Sequence, residues 1–275
     1  MSYDSTAQLE RRPADPPIYD AEAFAGMRRA GQLTAEALDL LVEHVRPGVT
    51  TEFLDSRVAE FARDRGAYAA TLLYRGYPKS ICTSINHVVC HGIPNDKPLR
   101  DGDIMNIDVT LILDGWYGDS SRMYFVGEVP RRAARLCDVT HDCLMRGVEA
   151  VAPGRTTNAI GAAIQSLAER ERCSVVRDFC GHGVGRVFHD APTILHYVEP
   201  NYSVPLRTGM MFTIEPMINL GRPQVKVLSD GWTAVTRDRS LSAQFEHTVG
   251  VTEAGFEVFT YSPKGYHRPP YGPTP

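Results

Sequence analysis

The chain has 275 residues, 43% of them apolar, with 29 Lys and Arg against 33 Asp and Glu for a formal charge of −4. That length allows a sizeable core, and the near-balanced charge excludes the strong basic field that marks a nucleic-acid or anionic-membrane partner. No run of about 18 apolar residues occurs and the first twenty residues lack the apolar stretch of a signal peptide, so a cytoplasmic protein with no membrane partner is expected.

Residues 1–20 are polar and Pro-rich and read as a flexible extension. Pro13 and Pro16 form a P-x-x-P beside Arg11 and Arg12. A peptide-binding domain could take that pattern, but a plain linker is the better reading. The extension lacks the Cys/His spacing of a zinc-binding region. Six cysteines, with no C-x-x-C among them, are expected to be reduced thiols.

A shift of 106 positions lays "VEHVRPGVTTEFLDSRVAEFA" (42–62) over "VEAVAPGRTTNAIGAAIQSLA" (148–168). Apolar residues coincide at Leu54/Ile160, Val58/Ile164 and Phe61/Leu167. Pro-Gly ends one helix in each copy, and the Thr pair caps the next. Because the register holds through that second helix, a duplication is favoured over chance, giving two related halves with a site between them.

Strands are signalled by "DIMNIDVTLILDGWYGDSSRMYFVG", "GMMFTIEPMI", "VKVLSDGWTAV" and "AQFEHTVGVT", an α+β pattern with a strongly antiparallel sheet. If Asp114-Gly115 is a two-residue hairpin turn, cross-strand partners sum to 229, so Asp108 faces Ser121 and Thr110 faces Asp119. Asp108 and Asp119 are then diagonal neighbours on one face, roughly 7–8 Å apart at Cα. The opposite face, Met105, Ile107, Val109, Leu111 and Leu113, is apolar. Taken alone, the polar face could look at water. Glu215 and Glu246, however, also stand in apolar strand company, where an unpaired ionised side chain is costly. Four such carboxylates converging on one cavity call for cations, and an imidazole from "DFCGHGVGRVFHDAP" (178–192) would complete the donor set. Those glycines are not a dinucleotide fingerprint, because the third comes one residue early and Arg186 takes its place. Gly181, Gly183 and Gly185 are instead expected to remove bulk and permit unusual backbone angles around His182.

The runs "GYPKSICTSINHVVCHGIP", "NIDVT", "YGDSSRMYFVG", "CGHGVGRVFHDAP", "FTIEPMIN" and "DGWTAVTRDRSLSAQFEHTV" resemble the type I methionine aminopeptidases from about Ala21 to Tyr261. The resemblance implies a pita-bread fold: one catalytic domain over 21–261, two pseudo-symmetric halves around a curved antiparallel sheet with flanking helices. A Pro-rich tail would follow over 262–275. It also implies Asp108, Asp119, His182, Glu215 and Glu246 as ligands of two divalent ions (Co, Mn, Fe or Zn), with Asp119 and Glu246 bridging them. Glu215 would be the general acid/base. His91 and His189 would be non-ligand donors to the scissile carbonyl, each such donor typically worth about 3 kcal/mol. Tyr74, Tyr77, Cys82, Phe188 and Trp232 fall on the methionine-pocket positions. Thr71, Arg75 and His87 depart from residues common in that family, at the pocket rim and site entrance. The expected activity is removal of the initiator methionine from nascent chains before a small second residue, by a monomer that meets the ribosome transiently. An X-Pro aminopeptidase or dipeptidase of the same fold, and a non-catalytic binding protein on it, are the rival readings.

Overall fold

The structure, a computed structural model, describes residues 15–271; Arg11, Arg12 and Pro13 of the P-x-x-P lie outside them. Four helices carry the helical layer: α1 (Ala21–Leu41), α2 (Thr51–Asp64), α3 (Arg131–Glu149) and α4 (Thr157–Arg170). Asp20 opens α1 by accepting a hydrogen bond from the Ala23 amide at 2.9 Å, satisfying a donor that helix geometry leaves unpaired. Small residues on α1 bring it down onto the strands Ile104–Leu113 and Trp116–Phe125. A Cβ added at Gly118 would lie 2.3 Å from the Ala30 carbonyl oxygen, so only glycine allows this approach.

The 106-residue shift survives in three dimensions. Helices α2 and α4 are both 14 residues long and start at Thr51 and Thr157. Leu54 matches Ile160 and Val58 matches Ile164, all fully buried. The flanking turns match too: the Gly48 amide donates to Leu99 O and the Gly154 amide to Leu206 O, while Thr50 bridges Pro98 and Thr156 bridges Pro205. One expectation fails in the second copy. Thr50 caps α2 through its side chain, whereas Thr156 makes no side-chain cap, and the Thr157 hydroxyl instead accepts from the Val204 amide at 3.1 Å. One apolar core lies under α1 and α2, another under α3 and α4.

The described strand ladders are antiparallel, as the sequence pattern implies. Asp114 and Gly115 turn the long hairpin with φ of 51° and 76°, the positive pair that a tight two-residue turn requires. Its register pairs Leu113 with Trp116, Thr110 with Asp119 and Asp108 with Ser121. Met105, Ile107, Val109 and Leu111 are fully buried on one face. The other face does not look at water: Asn106, Thr110 and Asp119 are buried as well. What covers it is a second, five-stranded sheet containing Gly181–Gly183, Asp190–Ile194, Met211–Ile214, His247–Thr252 and Gly255–Val258. The two sheets meet where Ser121 bridges Glu246.

Where they are described, at residues 15–20 and 262–271, both ends contact the body of the chain. Asp15 pairs with Arg207 at 2.6 Å, and the Tyr19 amide donates to Gly209 O while its ring packs edge-on against Trp116. At the other end the Ser262 hydroxyl donates to the Asp39 carboxylate, which holds the buried Arg122 guanidinium. Tyr271 donates to Met123 O and packs against Tyr124. Proline content suggested a tail, but its tyrosines and serine supply anchors that composition does not weigh. Asp39→Ala would leave Arg122 buried without its counter-charge, so a stability loss of about 3–5 kcal/mol is expected in urea denaturation; a loss under about 1 kcal/mol would contradict this role.

Candidate active site

The hairpin register puts Asp108 and Asp119 on the covered polar face, and the bridge at Ser121 adds Glu246, whose amide donates to Ser121 O at 3.0 Å. Ser120 fixes the same segment, its hydroxyl donating to Glu246 O at 2.7 Å. His182 and Glu215 arrive from the five-stranded sheet and are held by one residue, Thr213. Its Oγ1 accepts from the His182 amide at 3.0 Å and donates to Glu215 Oε1 at 2.8 Å. The His182 Nδ1 lies 3.0 Å from the Gly183 carbonyl. A carbonyl can only accept, so Nδ1 carries the proton and Nε2 presents a lone pair. That lone pair sits 3.6 Å from Asp119 Oδ2 and 3.7 Å from Glu215 Oε1. Donor atoms of Asp119, His182 and Glu246 lie within 4.8 Å of one another.

Such a cluster resists ionisation. Burial, then the neighbouring Asp119 charge, drives Asp108, Glu215 and Glu246 well above the usual carboxylate range. Asp119 is pushed up to about 7 by burial, although hydrogen bonds from the Thr110 hydroxyl and the Ser120 amide oppose the rise. Burial lowers His182 to about 4, leaving a neutral imidazole at pH 7. No lysine or arginine pairs with the four carboxylates among the described residues, and Asp108 Oδ1 is buried with no hydrogen-bond partner. Hard carboxylate oxygens, one neutral imidazole nitrogen and an orphaned anionic atom fit divalent cations, which would restore the lost counter-charge.

The glycines around His182 remove bulk, as expected, but do not supply the unusual backbone angles expected of them. Gly181 and Gly183 lie in a strand whose pairing with Asp190–Ile194 slips between His182 and Gly183, and none of Gly181, Gly183 and Gly185 has a positive φ. A Cβ would lie 2.3 Å from Thr213 O at Gly181 and 1.9 Å from Ala191 O at Gly183. They therefore admit neighbouring backbone and need no special angles.

All five donors line one cavity of about 790 Å³, together with His91, His189, Tyr74, Tyr77, Cys82, Phe188 and Trp232. His91 is held at a left-handed φ of 57°, a strained conformation for this residue, with its ring edge-on to Phe179 at 5.3 Å. Burial lowers His91 to about 4 and His189 to about 2, so both rings are neutral and each can give one N–H. The His189 Nδ1 is buried and unpartnered. Tyr77 meets Trp232 edge-on at 5.1 Å, and Tyr74 meets Phe188 at 5.0 Å, giving aromatic walls. Burial holds the Cys82 thiol well above its ordinary pKa, which makes it a wall and no nucleophile.

Thr71 and Arg75 also line this cavity, whereas His87 is exposed and is not among its lining residues. Sequence reasoning missed Thr213, Gln244 and His196. Gln244 Nε2 donates to Glu215 Oε2 at 3.2 Å, and the Glu215 amide donates to His196 Nε2 at 3.0 Å. Thr213 and Gln244 stand two residues from Glu215 and Glu246, and strand alternation could have found both. His196 carries no such signal.

The model of metallopeptidase family M24 matches residues 25–253. A methionine aminopeptidase of Rickettsia prowazekii is 58% identical over 256 residues, 92% of this chain and 98% of the relative, and that of Escherichia coli K12 is 51% identical over 245, 88% and 93%. A crystal structure of methionine aminopeptidase from R. prowazekii aligns with a TM-score of 0.88 at 57% identity, covering 90% of this chain and all of that one. An Xaa-Pro dipeptidase from Bacillus anthracis shares the fold alone, at 23% identity and a TM-score of 0.70, with 62% of its length covered.

Proposed function

The chain belongs to metallopeptidase family M24 and has its pita-bread fold, and from that premise we propose that its cavity removes the N-terminal methionine of nascent proteins. The observation that carries this reading is the convergence of four carboxylates, those of Asp119 and Glu246 buried and those of Asp108 and Glu215 partly so, and one neutral imidazole beside an aromatic cavity. The identity to methionine aminopeptidases over most of the chain supports the same activity.

Asp108, Asp119, His182, Glu215 and Glu246 would hold two divalent ions drawn from Co, Mn, Fe and Zn. Divalent cations at such donors supply Lewis acidity, which polarises a carbonyl and makes water nucleophilic near neutral pH. Glu215 takes the proton of the attacking water and returns it to the leaving amine. The Thr213 and Gln244 donors hold one lone pair on each of its oxygens and leave the others for that traffic. His91 and His189, neutral and lining the cavity, donate N–H groups to the carbonyl oxygen as charge develops on it. Tyr74, Tyr77, Cys82, Phe188 and Trp232 enclose the methionine side chain, whose thioether suits aromatic walls.

No helix among the described residues is long and apolar enough to cross a membrane. The proposal includes a cytoplasmic monomer that meets its substrates as they leave the ribosome. Free amino acid released from Met-Ala-Ser and from Ala-Pro-Ala separates this reading from the X-Pro one. Methionine release at least about a hundredfold faster than alanine release is expected, and the reverse order would overturn it.

A further inference from the structure

We propose that His196 is a positioning residue: by accepting the Glu215 amide it holds open the strand pair in which Glu215 and Glu246 face each other, and so fixes the carboxylate that moves the proton. The inference rests on the aminopeptidase reading of the cavity and names what keeps its acid/base in place.

The two strands that carry these glutamates share one register. His247 pairs with Ile214 on one side of the site, and Gln244 pairs with Met217 on the other. Between those rungs Glu215 stands opposite Glu246 and Pro216 opposite Phe245, yet neither pair is a rung of the described ladder. Proline has no amide to give, and an interrupted ladder leaves buried backbone groups that need other partners. Each glutamate finds them outside the pair. The Glu246 amide donates to Ser121 O at 3.0 Å, and its carbonyl accepts from the Ser120 hydroxyl at 2.7 Å. The Glu215 carbonyl accepts from Gln244 Nε2 at 3.4 Å, and its amide donates to His196 Nε2 at 3.0 Å.

His196 is fully buried and follows the strand Asp190–Ile194 by two residues. Because Nε2 accepts, the proton of the neutral ring sits on Nδ1, and that atom is buried with no hydrogen-bond partner among the described residues. An unpaired buried donor is a cost, and here it accompanies the bond that secures the Glu215 amide. Thr213 and Gln244 hold the carboxylate oxygens at the far end of a flexible side chain. His196 holds the backbone from which that side chain starts. Without an acceptor there, the gap between the two glutamates is no longer fixed on the Glu215 side.

The test compares His196→Gln, His196→Asn and His196→Leu in the full chain, well below the melting temperature of each. Glutamine carries its amide oxygen about as far out as Nε2, asparagine ends a bond short, and leucine offers no acceptor. With Mn(II) and Met-Ala-Ser, kcat should fall about 10- to 100-fold in the Asn and Leu variants, while KM stays within about threefold because the methionine pocket is untouched. Their Mn(II) dissociation constants, read by calorimetry, should rise about tenfold, and the Gln variant should return both quantities toward wild type. Should the Leu variant not fold, Gln against Asn decides. Wild-type kcat and Mn(II) affinity in the Asn variant, with only its melting temperature lowered, would overturn the inference, as would a Gln variant no better than Asn. A wild-type chain that binds Mn(II) yet releases no methionine would instead overturn the aminopeptidase reading, and the Mn(II) affinities would still decide the role of His196.

Discussion

Glu215→Gln lowers kcat/KM for Met-Ala-Ser by at least about a thousandfold in the presence of saturating divalent metal, while the folded structure persists. The substitution is nearly isosteric. The Thr213 hydroxyl can still donate to the amide oxygen, and the Glu215 backbone stays tied to His196. What is lost is a group able to take and return a proton, and positioned proton transfer contributes about 10²–10⁴-fold. A charged ligand is lost with it. Stability should not fall, because burial already disfavours the ionised form of Glu215. Methionine release by the variant within tenfold of wild type would remove Glu215 from the mechanism.

Stripping the metal should make the protein lose stability as pH rises. Asp119 is held at about 7 in the folded chain, against roughly 4 for an unperturbed aspartate. A folded-state value raised in this way means the native chain binds the proton more tightly. That contribution is fully present below about pH 4 and is lost as pH climbs through about 7. Asp108, Glu215 and Glu246, shifted in the same direction, extend the loss upward. The buried neutral histidines His91, His182 and His189 act oppositely, costing stability as pH falls below about 6.5. The two effects are separated by reading the window from pH 6.5 to 8 and by comparison with Asp119→Asn. In chelator the wild-type melting temperature should fall across that window more steeply than that of Asp119→Asn. Mn(II) should restore several degrees at pH 8 and little at pH 5, since its ligands must be deprotonated. A wild-type curve in chelator no steeper than that of Asp119→Asn, with no metal response, would show that the carboxylates do not share one cation-demanding site.

Much of this arrangement was legible because strands alternate. One turn assumption at Asp114-Gly115 set the partner sum of 229, and the structure keeps that register from Leu113/Trp116 to Ile104/Phe125. The repeat was legible because the buried positions of α2 and α4 constrain residue type, as with Leu54/Ile160 and Val58/Ile164. Three things were hidden. That the polar hairpin face is covered depends on the second sheet closing over it at Glu246, a contact 125 residues distant from Ser121 along the chain. The support of Glu215 by His196 crosses strands with no local pattern. The packing of the last residues depends on partners such as Asp39 and Tyr124, which composition cannot name.

The central claim is that the buried donor cluster needs divalent cations to release methionine. Free methionine liberated from Met-Ala-Ser, followed in chelated protein and again as Mn(II) or Co(II) is added back, tests it most directly. The account predicts no release in chelator and recovery on addition of metal; undiminished release without metal would contradict it.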